Sequence, residues 1–319
     1  MPQSQPSPTR IQVRVPAKIN PFLAVRGVRE DGYHELSTVF QTVALSDTLT
    51  MSVMAAEGRM YHPTSGGRVA VHFSHDGGAG VPAGDDNLVV RAATLLADRI
   101  GLRLQADAPI RTLLALEKRI PVAGGMAGGS ADAAAALLGL NELWGGDLSR
   151  RALLELAADL GADVPFCLVG GTALATGTGS ATAGVLCRGS FHWVACTADE
   201  ELATPAVYAA WDDHCEPGEQ TADDVLAAVA AGDPERLGPA LHNDLQPAAE
   251  VLMPRLRADR RALLDAGALG AVVSGSGPTL LALAADQAEA HRIAGRVAGR
   301  FADVLITRSP AGGPVLSAG

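Results

Sequence analysis

Apolar and polar residues alternate over Ile11–Val15, the period of a strand with one buried face, and Pro16 is expected to end it because proline has no N–H for a ladder. Apolar runs at Leu23–Val28, Val39–Val43 and Leu49–Val53 read as further strands, with the turn-rich Arg29-Glu-Asp-Gly32 after the first of them. The amino-terminal part is therefore sheet-rich. Residues 57–86 carry Gly, Pro, Asp and His, with one strand candidate at Val69–Phe73; Asn87 then opens a helical pattern that runs through Arg99. Leu113–Ile120 reads as a strand, Pro121–Ser130 as a glycine-rich loop, and Ala131–Leu143 as an alanine- and leucine-rich helix. Ser149 suits the N-cap of a helix over Arg150–Leu160 that stops at Gly161.

Two uncharged stretches, Val164–Cys187 and Ala266–Ala285, do not qualify as membrane spans. The first is studded with Gly, Thr and Ser, and the second is broken at Ser274-Gly-Ser-Gly-Pro278, so both read as buried strands joined by loops. From about residue 175 the texture changes: strands at Leu186 and Phe191–Cys196, a loop near residue 217, helices around 222–231 and 248–265, and a closing strand-helix-strand. An amino-terminal domain of residues 1–174 and a carboxy-terminal domain of residues 175–319 are expected, without a flexible linker or a fixed-period repeat.

Composition narrows the function classes. With 319 residues, 48% hydrophobic and 19% charged, the chain is neither disordered nor collagen-like and is long enough for two domains. A net charge of −10 without a lysine or arginine stripe argues against nucleic acid and against an acidic membrane surface, while leaving room for a small anion. The leader MPQSQPSPTR has no apolar run that would serve as a signal peptide, so a cytoplasmic location is expected. Cys167, Cys187, Cys196 and Cys215 show no C-x-x-C spacing and read as reduced thiols. Glycine, at 36 residues, is in surplus, and part of it should be functional backbone.

Gly124, Gly125, Gly128 and Gly129 stand just before a helix. Bare backbone amides and a helix N-terminus together make an anion cradle; the alternative is a turn that allows tight strand–helix packing. The loop is not a P-loop, because Ser130 follows Gly129 with no lysine, and Met126 interrupts a dinucleotide fingerprint. Ser130 suits either an N-cap or a ligand to a phosphate-bound metal. Asp132 either complements the helix dipole or reaches a magnesium ion, and the capping role is the favoured one.

These residues carry a resemblance. Pro121–Ala131 resembles the second motif of the GHMP small-molecule kinases, and Val273-Ser-Gly-Ser-Gly-Pro278 resembles their third. Pro16-Ala-Lys-Ile-Asn20, Arg29-Glu-Asp-Gly-Tyr-His34, Asp86-Asn-Leu-Val-Val90 and Leu160-Gly-Ala-Asp-Val-Pro165 extend it from about residue 11 to 308, towards the branch acting on a cytidine-diphosphate-linked methylerythritol. The resemblance implies an α+β, two-domain GHMP kinase architecture, with a ribosomal-protein-S5-like amino-terminal domain, a ferredoxin-like carboxy-terminal domain and a cleft between them. It implies ATP-dependent phosphorylation of the 2-hydroxyl of that sugar alcohol, a step of non-mevalonate isoprenoid synthesis, with Mg2+ as cofactor.

Site roles carry over position by position. Lys18 and Asp163 match the catalytic lysine and aspartate. ATP is expected on Pro121, Val122, Ala123, Gly124, Gly125, Met126, Ala127, Gly128, Gly129, Ser130 and Ala131, with Asn87 and Lys118 on the adenine or ribose side and Ser130 as metal ligand. Tyr33 and Tyr208 match an aromatic sandwich for cytosine, His34 the reader of its edge, and Asn20, Thr204, Gly275 and Gly277 complete the substrate pocket. The chain departs from the family's Ser-Ser-Asn at Ser130-Ala131-Asp132, which bears on the metal and γ-phosphate contacts. Partners are expected to be small molecules, with the protein a monomer or weak homodimer. Two rivals stay open: a different acceptor, such as homoserine or mevalonate, or a non-catalytic nucleotide-binding module.

Overall fold

A computed structural model of the chain describes residues 9–55, 66–78 and 80–318. Residues 1–8 of the polar leader and residues 57–65 lie outside them. The first strand, β1 (Arg10–Val28), turns into β2 (His34–Ala55), followed by β3 (Arg68–His75), α1 (Leu88–Arg99), β4 (Arg103–Leu104), β5 (Ile110–Glu117) and α2 (Gly128–Leu143). Two more helices, α3 (Arg150–Leu160) and α4 (Val164–Val169), precede β6 (Thr172–Gly177) and β7 (Ala181–Gly184). Then come β8 (Phe191–Cys196), α5 (Thr204–His214), α6 (Asp223–Ala231), α7 (Pro234–Ala240), β9 (His242–Asn243), α8 (Gln246–Leu252) and α9 (Arg255–Asp265). The chain closes with β10 (Gly270–Val273), β11 (Leu280–Ala284), α10 (Gln287–Val297), β12 (Val304–Ser309) and β13 (Val315–Ala318).

Among the described residues the strands form two sheets. Nine belong to a sheet ordered β13-β1-β2-β5-β3-β4, with β6 and β7 branching from β2 and β9 lying beside β1; the other four are ordered β10-β11-β8-β12, all antiparallel. The second sheet, with α9 and α10 on it, has the strand order of a ferredoxin-like unit.

Several sequence expectations are corrected. Pro16 does not end β1: the pairing with β2 shifts register between Pro16 and Lys18, and at a bulge the missing N–H costs nothing. Val39–Val43 and Leu49–Val53 merge into one strand, β2. Val164–Val169 is helical rather than a buried strand, because Gly161 closes α3 and Pro165 then stands in the first turn of a new helix, where proline is tolerated. Leu186 is in no strand and is largely exposed. The helix expected over 248–265 is two helices, separated at Met253-Pro254. Strands through β7 stay in the first sheet and the second begins at Phe191, so residues 174/175 fall inside β6 rather than between sheets.

The larger core explains the alanine content. Ala131, Ala133, Ala134, Ala135, Ala136, Leu137, Leu140 and Leu143 are all fully buried, so α2 is covered on every side rather than amphipathic. Small side chains let the sheet approach closely: a methyl group on Gly139 would fall 2.0 Å from Met51 Cε. All four cysteines are unpaired, and no described helix is long and apolar enough to cross a membrane.

Candidate active site

A cavity of about 1040 Å³ is walled by the start of the β1–β2 hairpin, the glycine loop before α2, the start of α4, α5 and the loop 275–277. Side chains alternate along a strand, so Ala17 and Ile19 enter the core while Lys18 and Asn20 share the other face, which looks into the cavity. Lys18 Nζ is buried, donates to Asn20 Oδ1 at 2.9 Å, lies 3.3 Å from Asp163 Oδ2 and sits 4.9 Å from the centroid of the Phe40 ring. Asn20 is fixed in turn by Thr38 Oγ1 at 2.8 Å, which donates to the Phe22 carbonyl. Asp163 stands just before α4, and its side chain caps no amide of that helix, which leaves the carboxylate free to face Lys18 and the cavity.

The glycine loop is tied to this pair through the backbone: the Lys18 N–H donates to the Met126 carbonyl at 3.2 Å. Gly125 has φ +68°, and a methyl group there would fall 2.0 Å from the Ser274 carbonyl oxygen; Ser274 Oγ donates to the Gly125 carbonyl at 3.0 Å. The two glycine loops are therefore pressed against each other, and the packing explanation accounts for Gly125. Gly129 meets only Leu88 Cδ1, at 3.6 Å, so its lack of a side chain is not demanded by the protein itself.

Ser130 is not an N-cap. The helix starts two residues earlier, after Ala127 in a left-handed conformation (φ 54°), and Ser130 lines the cavity from its first turn. Asp132 is not a cap either. Four residues beyond Gly128 and so on the same helix face, it accepts from Lys118 Nζ at 2.7 Å, while Lys118 also donates to Asp47 Oδ2 at 2.6 Å. Asp47, fully buried, accepts the N–H groups of Arg119 and Ile120 as well. Burial tends to lower the Lys118 pKa, but Asp132 and Asp47 outweigh it and hold the ammonium above its ordinary value. Asp132 is pushed up to about 7 by burial, against the pull of Lys118 and with a further push from Asp47.

Aromatic residues gather elsewhere along the wall. The His34 ring lies 4.6 Å from Tyr208 and 5.5 Å, edge-on, from Trp211, and its Nε2 is 2.7 Å from Asp212 Oδ1. Tyr208 is buried, which, helped by the charge of Asp163, pushes its hydroxyl up to about 12. Tyr33 is 67% exposed at the cavity edge, open for contact with a ligand. Thr204 and Ser276 share a hydrogen bond at 2.8 Å, and Asn243 holds the second glycine loop through the Gly275 carbonyl.

Comparisons with known proteins agree along the length of the chain. Residues 87–171 match the GHMP kinases N terminal domain, and residues 225–303 match GHMP kinases C terminal. A Nocardia farcinica (strain IFM 10152) protein named 4-diphosphocytidyl-2-C-methyl-D-erythritol kinase is 46% identical over 314 residues, covering 97% of this chain and 95% of that one. A Thermobifida fusca (strain YX) protein of the same name is 47% identical over 317 residues, covering 96% and 98%. The chain belongs to this family of GHMP kinases. A crystal structure of 4-(cytidine 5'-diphospho)-2C-methyl-D-erythritol kinase has a TM-score of 0.73 at 33% identity, covering 94% of this chain and 100% of the other. A homoserine kinase from Cytophaga hutchinsonii, at 19% identity and a TM-score of 0.72, shares the fold over 98% of this chain and 99% of its own. The two-domain GHMP architecture and the assignment as an ATP-dependent small-molecule kinase both stand.

In this GHMP kinase the cavity collects nearly all the residues singled out from sequence. Lys18, Asn20, Tyr33, His34, Asn87, Lys118, Asp163, Thr204, Tyr208, Gly275 and Gly277 line it, as does the loop from Pro121 to Ser130 except for Met126. Met126 and Ala131 are buried and give it no surface. Asn87 is spent on capping: it accepts from the Val89 N–H and donates to the Pro82 carbonyl, and Lys118 is committed to its two carboxylates. Asp47, Thr38, Phe40 and Asp212 were not singled out. Asp47 carried no signal, since it falls between the two apolar runs that read as strands, whereas Asp212 carried one, a carboxylate one helical turn beyond Tyr208.

Proposed function

We propose that the protein transfers the γ-phosphoryl group of ATP to the 2-hydroxyl of 4-diphosphocytidyl-2-C-methyl-D-erythritol, in the cytoplasm and as a monomer or weak homodimer. The observation that carries this is the Lys18–Asp163 contact of 3.3 Å, on the cavity wall and bonded through the Lys18 backbone to the glycine loop. The carboxylate of Asp163 accepts the proton of the substrate hydroxyl. The oxygen so freed attacks the γ-phosphorus, the bond to the β,γ-bridging oxygen breaks, and ADP leaves. Lys18, held by Asn20 and Phe40, orients Asp163 and offsets negative charge on the phosphoryl group in flight. The exposed amides at the start of α2 and the bare cradle at Gly129 receive phosphate oxygens.

Magnesium fits the residues present. Asp132 Oδ1 has no hydrogen-bond partner and Ser130 offers a hydroxyl; one or two protein ligands, beside substrate phosphates and several waters, are what this ion takes. Bound there, it would neutralise phosphate charge. Among the described residues no group of three or more His, Cys, Asp or Glu side chains forms an all-protein metal cage.

The test is Asp163→Asn, which keeps the shape and removes the base. Turnover should fall by roughly 10²–10⁴-fold, the contribution of a positioned base, with a much smaller change in ATP affinity by calorimetry. Near-normal turnover would refute the role of Asp163. Homoserine and mevalonate, run beside the cytidylyl substrate, test the acceptor.

A further inference from the structure

We infer that Asp212 sets the base specificity of the site by fixing the tautomer of His34, an inference that rests on the proposed reading of a cytidylyl substrate. The two side chains come from different units: His34 is the first residue of β2, and Asp212 lies on α5, one turn beyond Tyr208 and on its face. His34 has little freedom. Its ring is held at 4.6 Å from Tyr208 and at 5.5 Å from Trp211, at an interplanar angle of 88° to the latter, and its side chain is only 11% exposed.

An ionised carboxylate is an acceptor only, so at 2.7 Å from Asp212 Oδ1 the Nε2 of His34 must be the donor. In the neutral ring the other nitrogen, Nδ1, is then an acceptor, and among the described residues it makes no hydrogen bond. A lone pair fixed in this way welcomes a base edge that presents an N–H and repels one that presents a carbonyl. Cytosine carries an amino group at the position where uracil carries an oxygen. The Tyr208 and Tyr33 rings that line the same wall give no such discrimination, because stacking accepts either base. Asp212 therefore acts as a positioning residue: it need not touch the base, and it decides which hydrogen-bond sense His34 presents to it.

Three measurements on the full-length protein test this, comparing the wild type with Asp212→Ala and Asp212→Glu. Nitrogen-15 NMR of the histidine rings should show His34 protonated on Nε2 alone in the wild type and mixed tautomers in D212A. Calorimetry with CDP and UDP as probes should show a preference for CDP that falls by about tenfold in D212A, the loss expected for one hydrogen bond, and returns in large part in D212E. In steady-state assays with the cytidylyl substrate the loss in D212A should fall on KM rather than kcat. An Nδ1–H or doubly protonated ring in the wild type overturns the inference, as does a D212A variant that binds CDP and UDP more weakly by the same factor or keeps their ratio. The NMR and calorimetry need no turnover. A wild type that fails to phosphorylate the cytidylyl substrate, yet loses its CDP preference in D212A, refutes the proposed reaction and leaves this inference standing; turnover with an unchanged ratio does the reverse.

Discussion

Gly125 and Gly129 look equivalent in the sequence, and alanine at each should have opposite effects on stability. At Gly125 the new methyl group would stand 2.0 Å from the Ser274 carbonyl oxygen and 3.1 Å from the Gly277 nitrogen, both backbone atoms that cannot swing aside. The left-handed φ of +68° adds about 1–2 kcal/mol for any L side chain. Separating the two loops also breaks the Ser274–Gly125 hydrogen bond, a further loss of about 1 kcal/mol. G125A should therefore lose about 2–3 kcal/mol in urea unfolding, the sum of those two effects. At Gly129 the nearest atom outside the helix is a flexible Leu88 methyl at 3.6 Å, and alanine in a helix gains up to about 1 kcal/mol over glycine. G129A should hold or raise stability while weakening ATP binding, because Gly129 lines the cavity in the loop proposed to receive the phosphates. Equal unfolding midpoints for the two variants, or a loss of under about 1 kcal/mol in G125A, would refute the assignment of Gly125 to loop–loop packing and Gly129 to the ligand.

Two further outcomes concern the ion cluster beneath the loop. Asp47→Ala leaves the Lys118 ammonium short of a partner and the Arg119 and Ile120 amides without an acceptor, so it should cost about 3–5 kcal/mol in urea unfolding; a loss of under about 1 kcal/mol would show that water replaces the carboxylate. Asp132, raised to about 7 from an ordinary 3.8, holds a proton in the folded state over a range where the unfolded chain has released it. Its contribution to stability therefore declines as pH rises from about 4 to about 7. Asp132→Asn should remove that decline, and parallel stability–pH curves for the two proteins would rule it out.

Recognition motifs made the site legible from sequence, because catalytic side chains and bare amides must sit at fixed spacings. Lys18, Asp163, both glycine loops, Tyr33, His34 and Tyr208 all reach one cavity. Elements whose boundaries depend on tertiary context were less legible. Pro16 reads as a strand end, since only the partner strand reveals the bulge that accommodates it. Val164–Val169 has the apolar run of a buried strand, and a six-residue helix leaves too few turns to show a period. The two carboxylates that hold Lys118 were not legible, because they come from β2 and α2 and no local pattern shows that they converge. Asp212 escaped for the same reason: its partner His34 opens β2, 178 positions earlier in the chain.

The final strand has a consequence for assembly of the fold. β13 lies at the border of the nine-stranded sheet, where Ile11 pairs with Ala318 and Arg14 with Val315, residues from opposite ends of the described chain. Contacts of such high sequence separation form late, since loop closure must precede them. Until they do, this side of β1 presents a row of unsatisfied amides and carbonyls, the template on which chains add to one another. β13, exposed at all four residues and contributing nothing to the core, thus moves the adhesive border outward onto a strand of only four residues, and the interval before it docks is when the folding chain is most open to self-association.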